Sequence, residues 1–320
     1  MLLSKSPGDL LVDHPTHADI TAILELFPFA VRAMLLSGLA QTHPVIYHEA
    51  NRAAQRLNDQ ENASFRWASV TKVASAFAIH IARQHYMLSL DEPAGPEGST
   101  LRHLLSHASG IDFNSNRVLT QPGLKRIYSN RGIEIAAHVC EEATGESFDS
   151  WLENQVIYPL GMTQTFLWAS PAWGMKGPIG DLGRFALELM MPTLLDADSD
   201  EAMTMPCFPG LSGVVPGYGY QRNNVWAMGP ELRGTKDPHW TSPEAPADTF
   251  GHFGQSGSFL WVDRRHLLAG VFVSEKPFGR IHKELWLPLN YALFRLGLIA
   301  HGRQPGPRPS ALAALSHGLQ

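Results

Sequence analysis

The chain has 320 residues, of which 44% are hydrophobic and 17% charged, which is the balance of an ordinary globular protein with a sizeable core. Its 25 basic and 30 acidic side chains give a formal net charge of −5. No basic run or stripe and no long apolar stretch occurs, so the composition argues against nucleic-acid binding and against a membrane span.

Hydrophobic periodicity and residue type predict the regular elements in chain order. The predicted helices cover residues 17–27, 68–86, 100–110, 133–145, 147–157, 179–191 and 283–299. The predicted strands cover residues 29–38, 44–52, 257–263 and 266–275, the last two joined by Arg264 and Arg265. Gly110 is expected to cap the third helix.

Three segments lack a clear periodicity. Residues 91–99 hold the prolines and glycines of a turn-rich connector. Residues 192–250 are rich in Gly, Pro and Trp, and we expect irregular structure that wraps the functional site and decides its specificity. Residues 302–320 are rich in Pro, Gly and Ala, which predicts a loose tail.

Because strands lie near both ends of the chain and helices in its middle, we predict one α/β lobe with a helical lobe inserted.

Cys140 and Cys207 are the two cysteines of the chain. They are too few for a disulfide framework and have no Cys/His cluster around them, so no zinc site is predicted. A single bridge between them and two free thiols are both open, and we favour free thiols. The first twenty residues lack the apolar core of a secretory leader, so we expect a cytoplasmic protein.

The segment FRWASVTKVASA (65–76) places Ser69 and Lys72 one helical turn apart on the same face. Such a pair occurs about once by chance in a chain this long, and a solvent-facing serine beside a lysine is the alternative. However, Lys72 lies in an otherwise apolar helix, and Ser69 lies near its N-terminus, where free N–H groups favour negative charge. A buried amine has a lowered pKa and can take a proton from a hydroxyl group.

Two later segments complete a pattern. RIYSNRG (126–132) carries Tyr128 and Asn130 just before a predicted helix, and FGHFGQSG (250–257) carries His252 and Gly254 just before a predicted strand. In this order, Ser-x-x-Lys, Tyr-x-Asn and His-x-Gly resemble the three signature elements of the serine β-lactamase and penicillin-binding protein superfamily. The Tyr and His forms are similar to its class C β-lactamase, D-alanyl-D-alanine carboxypeptidase and family VIII esterase branch. Further matches are LLSHASGI (104–111), PLGMTQT (159–165) and GDLGRFA (180–186).

The resemblance covers about residues 20–295 and implies an α+β fold of the β-lactamase/transpeptidase type. In that fold a central antiparallel sheet is flanked by the terminal helices, and an all-α region is inserted. We therefore expect an α/β lobe from residues 15–75 and 225–302, a mainly helical lobe from residues 76–224, and a flexible tail from residues 303–320. A site in the cleft between the lobes would fit this arrangement.

The resemblance also implies roles for the motif residues. Ser69 would attack a carbonyl carbon and form an acyl-enzyme, while Lys72 and Tyr128 share the proton transfers. Which of the two is the general base stays open, because coupled groups have no separable pKa values. Tyr128 would protonate the leaving group and later activate water. Asn130 would orient Lys72 or hold a substrate carbonyl, with a purely local role in the turn as the alternative.

The remaining motif residues would bind the substrate. The backbone N–H groups of Ser69 and Gln255 would form the oxyanion hole, and Gly254 would let the strand approach the substrate closely. His252 stands where many members have lysine, and would donate a hydrogen bond to Tyr128 or to a substrate acid. Its alternative role is packing within the strand.

Phe253 departs from the family pattern, which often has a threonine whose hydroxyl helps to bind a substrate carboxylate. Phenylalanine has no such donor, and a histidine is a weaker anchor than a lysine cation at neutral pH. The departure favours neutral or apolar acyl substrates. Trp67, Trp226, Trp240 and Phe253 are candidates to line such a pocket, with core packing as the alternative.

We therefore predict a serine hydrolase, an esterase or amidase that acts on a small acyl substrate without cofactor or metal. The spacing of His103 and His107 would suit a metal pair, but no third ligand is evident. A β-lactamase or D-alanyl-D-alanine carboxypeptidase is the alternative, and a non-catalytic acyl-binding module is the third. The sequence defines neither the acyl and leaving groups nor the oligomeric state.

Overall fold

The computed structural model describes residues 10–38, 45–48 and 63–307, and for residues 45–48 it describes the backbone alone. The α-helices are α1 (His17–Leu24), α2 (Thr71–Gln84), α3 (Leu101–Leu105), α4 (Asn130–Thr144), α5 (Phe148–Leu152), α6 (Ile179–Met190), α7 (Ala197–Thr204) and α8 (Arg280–Ala300). A 3-10 turn, Ala68–Val70, leads into α2, and a π-helical stretch, Glu153–Ile157, follows α5.

The central element is a six-stranded antiparallel sheet with the strand order β2-β1-β11-β10-β9-β8. Its strands are β1 (Val31–Ser37), β2 (Val45–His48), β8 (Glu231–Leu232), β9 (Phe250–Gly254), β10 (Ser258–Asp263) and β11 (Leu268–Ser274). Two smaller antiparallel sheets consist of β3 (Phe65–Arg66), β5 (Met175–Gly177) and β4 (Phe166–Leu167), and of β6 (Gly213–Val215) and β7 (Gly219–Gln221). The expected α+β class with an antiparallel sheet is confirmed.

Helices cover both faces of the central sheet. The terminal helices α1 and α8 pack on one face, where an aromatic cluster that includes Phe27, Phe253, Phe272 and Trp286 is buried. Helix α6 packs on the opposite face against β1, β10 and β11. Burial of this apolar surface from both sides is the main force that holds the layers together.

Helix α2 is buried along most of its length, since every residue from 71 to 82 has less than a tenth of its surface exposed. Its alanines let neighbouring elements approach closely, and α4, α5 and α7 pack against it. The helix therefore carries Lys72 into the protein interior, as the apolar sequence around that residue predicts.

Helix α3 is shorter than predicted, and Gly110 is not its C-cap. The helix ends at Leu105 because His107 adopts a left-handed conformation, with φ of 57°. Gly110 has a φ of 77° in the loop that follows, and a Cβ atom there would lie 2.0 Å from the carbonyl oxygen of Thr120. This glycine is thus required for a close approach of two loop segments rather than for a helix end.

Other predicted bounds also shift. The segment 192–250 is not wholly irregular, since it contains α7, β6, β7 and β8. His252 and Gly254 precede the strand predicted at 257–263, now β10, but they also lie within a strand of their own, β9, whose glycines conceal its strand character. The hairpin turn spans residues 264–267, and α4 begins three residues earlier than predicted. Residue 44 and residues 49–52 of the second predicted strand lie outside the described residues.

Further predictions concerned the C-terminal segment, the two cysteines and a membrane span. Residues 302–307 form no regular element, yet the buried Arg295 donates a hydrogen bond to the carbonyl oxygen of Gly306. The rest of the predicted tail lies outside the described residues. Cys140 and Cys207 are buried free thiols, as favoured. Within the described ranges, no helix combines the length and the hydropathy that a bilayer span requires.

Candidate active site

Ser69 lies at the point where the chain enters helix α2. The 3-10 turn that contains it begins at Ala68, whose φ of 44° is unusual for a residue with a side chain. This bend leaves Ser69 half-buried, and it lines a cavity of about 840 Å³. The serine hydroxyl is therefore accessible to a small molecule, whereas most of the helix that follows is not.

Lys72 is fully buried one turn further along the helix, and its Nζ atom has three neighbours. It lies 3.3 Å from Ser69 Oγ, 2.6 Å from Asn130 Oδ1 and 2.8 Å from the carbonyl oxygen of Ala172. The amide and carbonyl oxygens can only accept hydrogen bonds, so they take two N–H groups of the amine. Its third position points at the serine hydroxyl.

The environment of Lys72 makes a neutral amine accessible. Burial lowers the lysine pKa to about 7, and the carboxylate of Glu134 opposes part of this shift. A neutral amine would still donate to Asn130 and Ala172, and its lone pair would then face Ser69 Oγ. The arrangement is thus compatible with proton acceptance from the serine.

Asn130 is held as a link between Lys72 and a loop. It is the first residue of α4, and Ser129 caps that helix by accepting a hydrogen bond from the N–H of Gly132 at 2.9 Å. While Asn130 Oδ1 accepts from Lys72, its Nδ2 donates to Asn114 Oδ1 at 2.9 Å. The geometry supports the expected contact with Lys72, and because Asn130 also lines the cavity, its role in holding a substrate carbonyl stays a prediction.

Tyr128 lies between Lys72 and His252. The Lys72 Nζ atom is 4.8 Å from the centre of the Tyr128 ring, and the Tyr128 hydroxyl is 3.3 Å from His252 Nε2. Burial raises the pKa of Tyr128, and the nearby Ser69 hydroxyl opposes that shift. The phenol is therefore protonated at neutral pH.

The protonation state of His252 follows from its neighbours. Its Nδ1 lies 2.6 Å from the carbonyl oxygen of Phe253, so Nδ1 carries the proton. Burial and the nearby Lys72 lower the His252 pKa to about 4, so the ring is neutral and Nε2 accepts from the Tyr128 hydroxyl. This reverses the expected direction, in which His252 donates to Tyr128, and His252 does not line the cavity.

The strand β9 approaches the turn before Ser69 very closely. A Cβ atom on Gly254 would lie 2.4 Å from the carbonyl oxygen of Trp67 and 2.5 Å from Ser258 Oγ. The glycine therefore lets Gln255 reach the cavity that Ser69 lines. Within the described chain, no acceptor is found for the backbone N–H groups of Ser69 and Gln255, which leaves both available to a ligand oxygen.

The cavity walls differ from those that the sequence suggested. None of the four expected aromatic residues lines the cavity, since each is buried in the interior; they are Trp67, Trp226, Trp240 and Phe253. No residue of 192–250 lines the cavity itself, but Trp226 of this segment packs against Tyr128 and His252, so the expected role of the segment around the site stays a prediction. The aromatic side chains at the cavity are instead Phe65, Phe113, Trp168 and Trp173.

The loop 168–174 holds the functional groups that sequence reasoning missed. Its Ala172 carbonyl accepts from Lys72, and its Ser170 hydroxyl donates to Glu134 Oε1 at 2.8 Å. Two of its indoles form an edge-to-face pair, with the Trp168 and Trp173 ring centres 5.6 Å apart. A backbone carbonyl leaves no trace in residue identity, so only the density of aromatic residues in WASPAWG could have drawn attention to this loop.

The histidine pair His103 and His107 does not form a metal site. His103 Nδ1 bonds to the backbone N–H of Thr100 at 3.2 Å, and His107 Nδ1 accepts from the backbone N–H of Ser129 at 3.2 Å. The His107 ring packs against Tyr128 and Trp226. No group of three potential metal ligands occurs in the part of the chain that the structure describes.

Comparison with known proteins gives a consistent assignment. A crystal structure of a β-lactamase from Mycobacterium bovis is 36% identical, with a TM-score of 0.78 over 89% of this chain and 99% of that one. A D-amino acid amidase from Ochrobactrum anthropi shares the fold at 20% identity, with a TM-score of 0.66 over 89% and 98% of the two chains.

Penicillin-binding protein 4* of Bacillus subtilis is 24% identical over 162 residues, which are 39% of this chain and 36% of that protein. The chain thus spans about a third of the length of this relative. A family model described as Beta-lactamase matches residues 41–289, which is most of the chain. The protein therefore belongs to the β-lactamase family.

Proposed function

We propose that the protein is a serine hydrolase that cleaves an ester or amide bond of a small substrate through an acyl-enzyme on Ser69. The observation that carries this proposal is the buried Lys72 amine, 3.3 Å from Ser69 Oγ, with its other two positions occupied by oxygen acceptors. A structural lysine has no need to face a hydroxyl that opens into a cavity.

Acylation would begin with transfer of the Ser69 proton to neutral Lys72 while Oγ attacks the substrate carbonyl. The N–H groups of Ser69 and Gln255 would receive the developing oxyanion. The leaving group would then take the Tyr128 proton, and the ammonium of Lys72 beside the phenol ring would return a proton to Tyr128. Lys72 thus ends this step neutral, and the acyl group remains on Ser69.

Deacylation would use the same groups. A water molecule would attack the acyl carbonyl while Lys72 takes its proton, and Ser69 Oγ would recover that proton as it leaves. Neutral His252 would act as a positioning residue throughout, because it accepts from the Tyr128 hydroxyl and fixes the direction of that group.

The cavity favours an apolar or aromatic acyl group. Phe113, Trp168 and Trp173 line it and keep 46%, 46% and 38% of their surface exposed. Exposed aromatic faces that converge on one cavity gain free energy when a ligand covers them. We therefore propose phenylacetyl and similar esters or amides as better substrates than acetyl compounds.

The test is hydrolysis of p-nitrophenyl phenylacetate by the purified protein. Ser69→Ala should lower the rate by about 10⁴-fold or more, and mass spectrometry of the native protein should find the phenylacetyl mass on Ser69. Ser89→Ala, which changes an exposed serine in a distant turn, is the control. Equal activity of Ser69→Ala and the native protein would disprove the proposal.

A β-lactamase is the second candidate, and the 36% identity to a protein described as a β-lactamase favours it. Turnover of nitrocefin that Ser69→Ala abolishes would assign this activity. Stoichiometric labelling of Ser69 without turnover would instead support an acyl-binding module.

A further inference from the structure

Two cations lie side by side in the wall of the Ser69 cavity. Arg66 on β3 and Lys176 on β5 are directly opposite in the antiparallel register, and both line the cavity. Residues in this relation have their Cβ atoms about 5 Å apart, and like charges so placed repel each other. The chain has a net charge of −5, so two adjacent cations in this wall are not explained by an overall excess of basic residues.

Neither cation is neutralised by the described residues. No ion pair with a carboxylate is found for Arg66 or Lys176 in the ranges that the structure describes, and neither side chain donates a hydrogen bond there. Glu275 lines the same cavity without pairing with either of them. Neither cation therefore has a direct anionic partner among the described residues, and solvent screens their mutual repulsion because Arg66 is exposed.

The Arg66 guanidinium contacts an aromatic ring of the cavity wall. It lies over the Trp168 ring, 5.2 Å from the ring centre, and Trp168 in turn packs edge to face on Trp173. A guanidinium stacked on an aromatic face keeps its N–H groups free at the edge, where they match the two oxygens of a carboxylate. Lys176 lies beside it as a second, flexible donor.

Among the described residues that line the cavity, Arg66 and Lys176 are the two cations, and the wall beside β9 contributes uncharged donors such as Gln255 and Ser256. The Phe253 side chain of β9 is turned into the aromatic core, and neutral His252 is occupied by Tyr128 and by the Phe253 carbonyl. A negative group on a bound molecule would therefore find its partners at Arg66 and Lys176.

We propose that Arg66 and Lys176 form a subsite that binds a carboxylate of the substrate, distinct from the carbonyl that Ser69 attacks. The inference rests on the proposed function, since it assumes that the substrate occupies the Ser69 cavity. It makes the substrate a carboxylate-bearing ester or amide whose apolar part lies against the aromatic side chains and whose anionic end lies on the cation pair.

The test compares two esters whose acyl chains have the same number of carbon atoms but differ at the far end, where one carries a carboxylate and the other a methyl group. The 4-methylumbelliferyl monoester of adipic acid carries a carboxylate, and 4-methylumbelliferyl hexanoate does not. We expect kcat/KM at low ionic strength to favour the adipate ester by about tenfold, and the preference to fall as salt is added. Arg66→Met and Lys176→Met should each reduce the ratio, and the double variant should remove it.

Lys125→Met is the control, because it deletes an exposed cation that does not line the cavity. Its ratio should equal that of the native protein. Equal kcat/KM values for the two esters would overturn the subsite. So would a preference that falls equally in Lys125→Met and Arg66→Met. In either case, hydrolysis of the esters by the native protein would still support the proposed function.

Binding separates the two proposals if neither ester is cleaved. In a Ser69→Ala background, calorimetry should find tighter binding of the adipate ester than of the hexanoate ester, and Arg66→Met should abolish the difference. That result without turnover in the native protein would keep the subsite and reject the hydrolase. Equal binding of the two esters would reject the subsite.

Discussion

The proposed catalytic cluster, called the catalytic cluster below, and the cavity rim are built in opposite ways. In the catalytic cluster, consisting of Lys72, Tyr128, Asn130 and His252, each side chain has at least one named polar partner at hydrogen-bond distance. In the cavity rim, consisting of Arg66, Phe113, Trp168, Trp173 and Lys176, the aromatic rings are exposed and the two cations lack a described carboxylate partner. Both regions border the same serine.

This difference in construction indicates that the cluster would perform the reaction and that the rim would select the substrate. A proton-transfer group works only at a defined distance and pKa, so its surroundings are packed and fully bonded. A rim that recognises substrate must exchange its contacts with water for contacts with ligand, so it stays open. Variants of the cluster should therefore change turnover, and variants of the rim should change which substrate is turned over.

The largest expected effect is that of Lys72→Met, which keeps an unbranched side chain shorter by one atom and removes the amine. We expect kcat for any ester to fall by at least about a thousandfold, because the amine that contacts Ser69 Oγ is the proposed general base and the neighbouring Tyr128 phenol is protonated at neutral pH. Stopped-flow or steady-state hydrolysis measures this, with the melting temperature as a check on folding. If the folded variant kept a near-native kcat, Lys72 would not be needed for turnover, and the functional distinction between the cluster and the rim would be wrong.

Tyr128→Phe should cost about a hundredfold in kcat, since it removes the hydroxyl that protonates the leaving group. The loss should be smaller for a p-nitrophenyl ester, whose leaving group needs no proton, than for an alkyl ester. Comparing the two esters measures this. An equal loss for both leaving groups would assign Tyr128 to another step.

The pH dependence identifies the base. Because burial lowers the Lys72 pKa to about 7, the neutral amine dominates above that pH and disappears below it. We expect kcat/KM to rise about tenfold between pH 6 and pH 8. Glu134→Gln removes the anion that raises the Lys72 pKa. In this variant the rise of kcat/KM with pH, the rising limb of the profile, should therefore occur at lower pH. A limb well above pH 8, insensitive to Glu134, would favour Tyr128 as the base.

The smallest expected effect is that of Trp173→Ala in the rim. It should raise KM for a phenylacetyl ester about threefold to tenfold, through lost aromatic contact, with little change for an acetyl ester. Tyr86→Ala, which deletes an aromatic ring that is 96% exposed and remote from the cavity, is the control. A uniform loss of kcat for both esters would instead make the loop 168–174 part of the catalytic cluster.

Local patterns predicted most of the fold and the inner part of the site. The helices around Lys72 and from 283 to 299 have strong apolar periodicity, and their existence followed directly from it. Short strands such as β3, β5 and β8 were missed because two or three residues carry no period, and β9 was missed because of its glycines. The three motifs likewise pointed to Ser69, Lys72 and Tyr128, which the structure brings together from distant segments.

The direction of the hydrogen bond at His252 and the identity of the cavity walls could not be predicted. Side chains of successive residues in a strand point to opposite faces, so Phe253 faces the core while its neighbours face the site. The sequence suggested buried tryptophans as pocket walls, whereas the rim comes from loop 168–174 and from strands only two or three residues long.

The order of residue types along the chain by itself determined the family, the α+β class and the candidate nucleophile with its amine, because helical spacing and short motifs act over a few residues. Only the tertiary structure decided the Ala172 carbonyl on Lys72, the pairing of Arg66 with Lys176 and the aromatic rim. These depend on contacts between segments a hundred residues apart, where burial and strand register, rather than local sequence, set the distances.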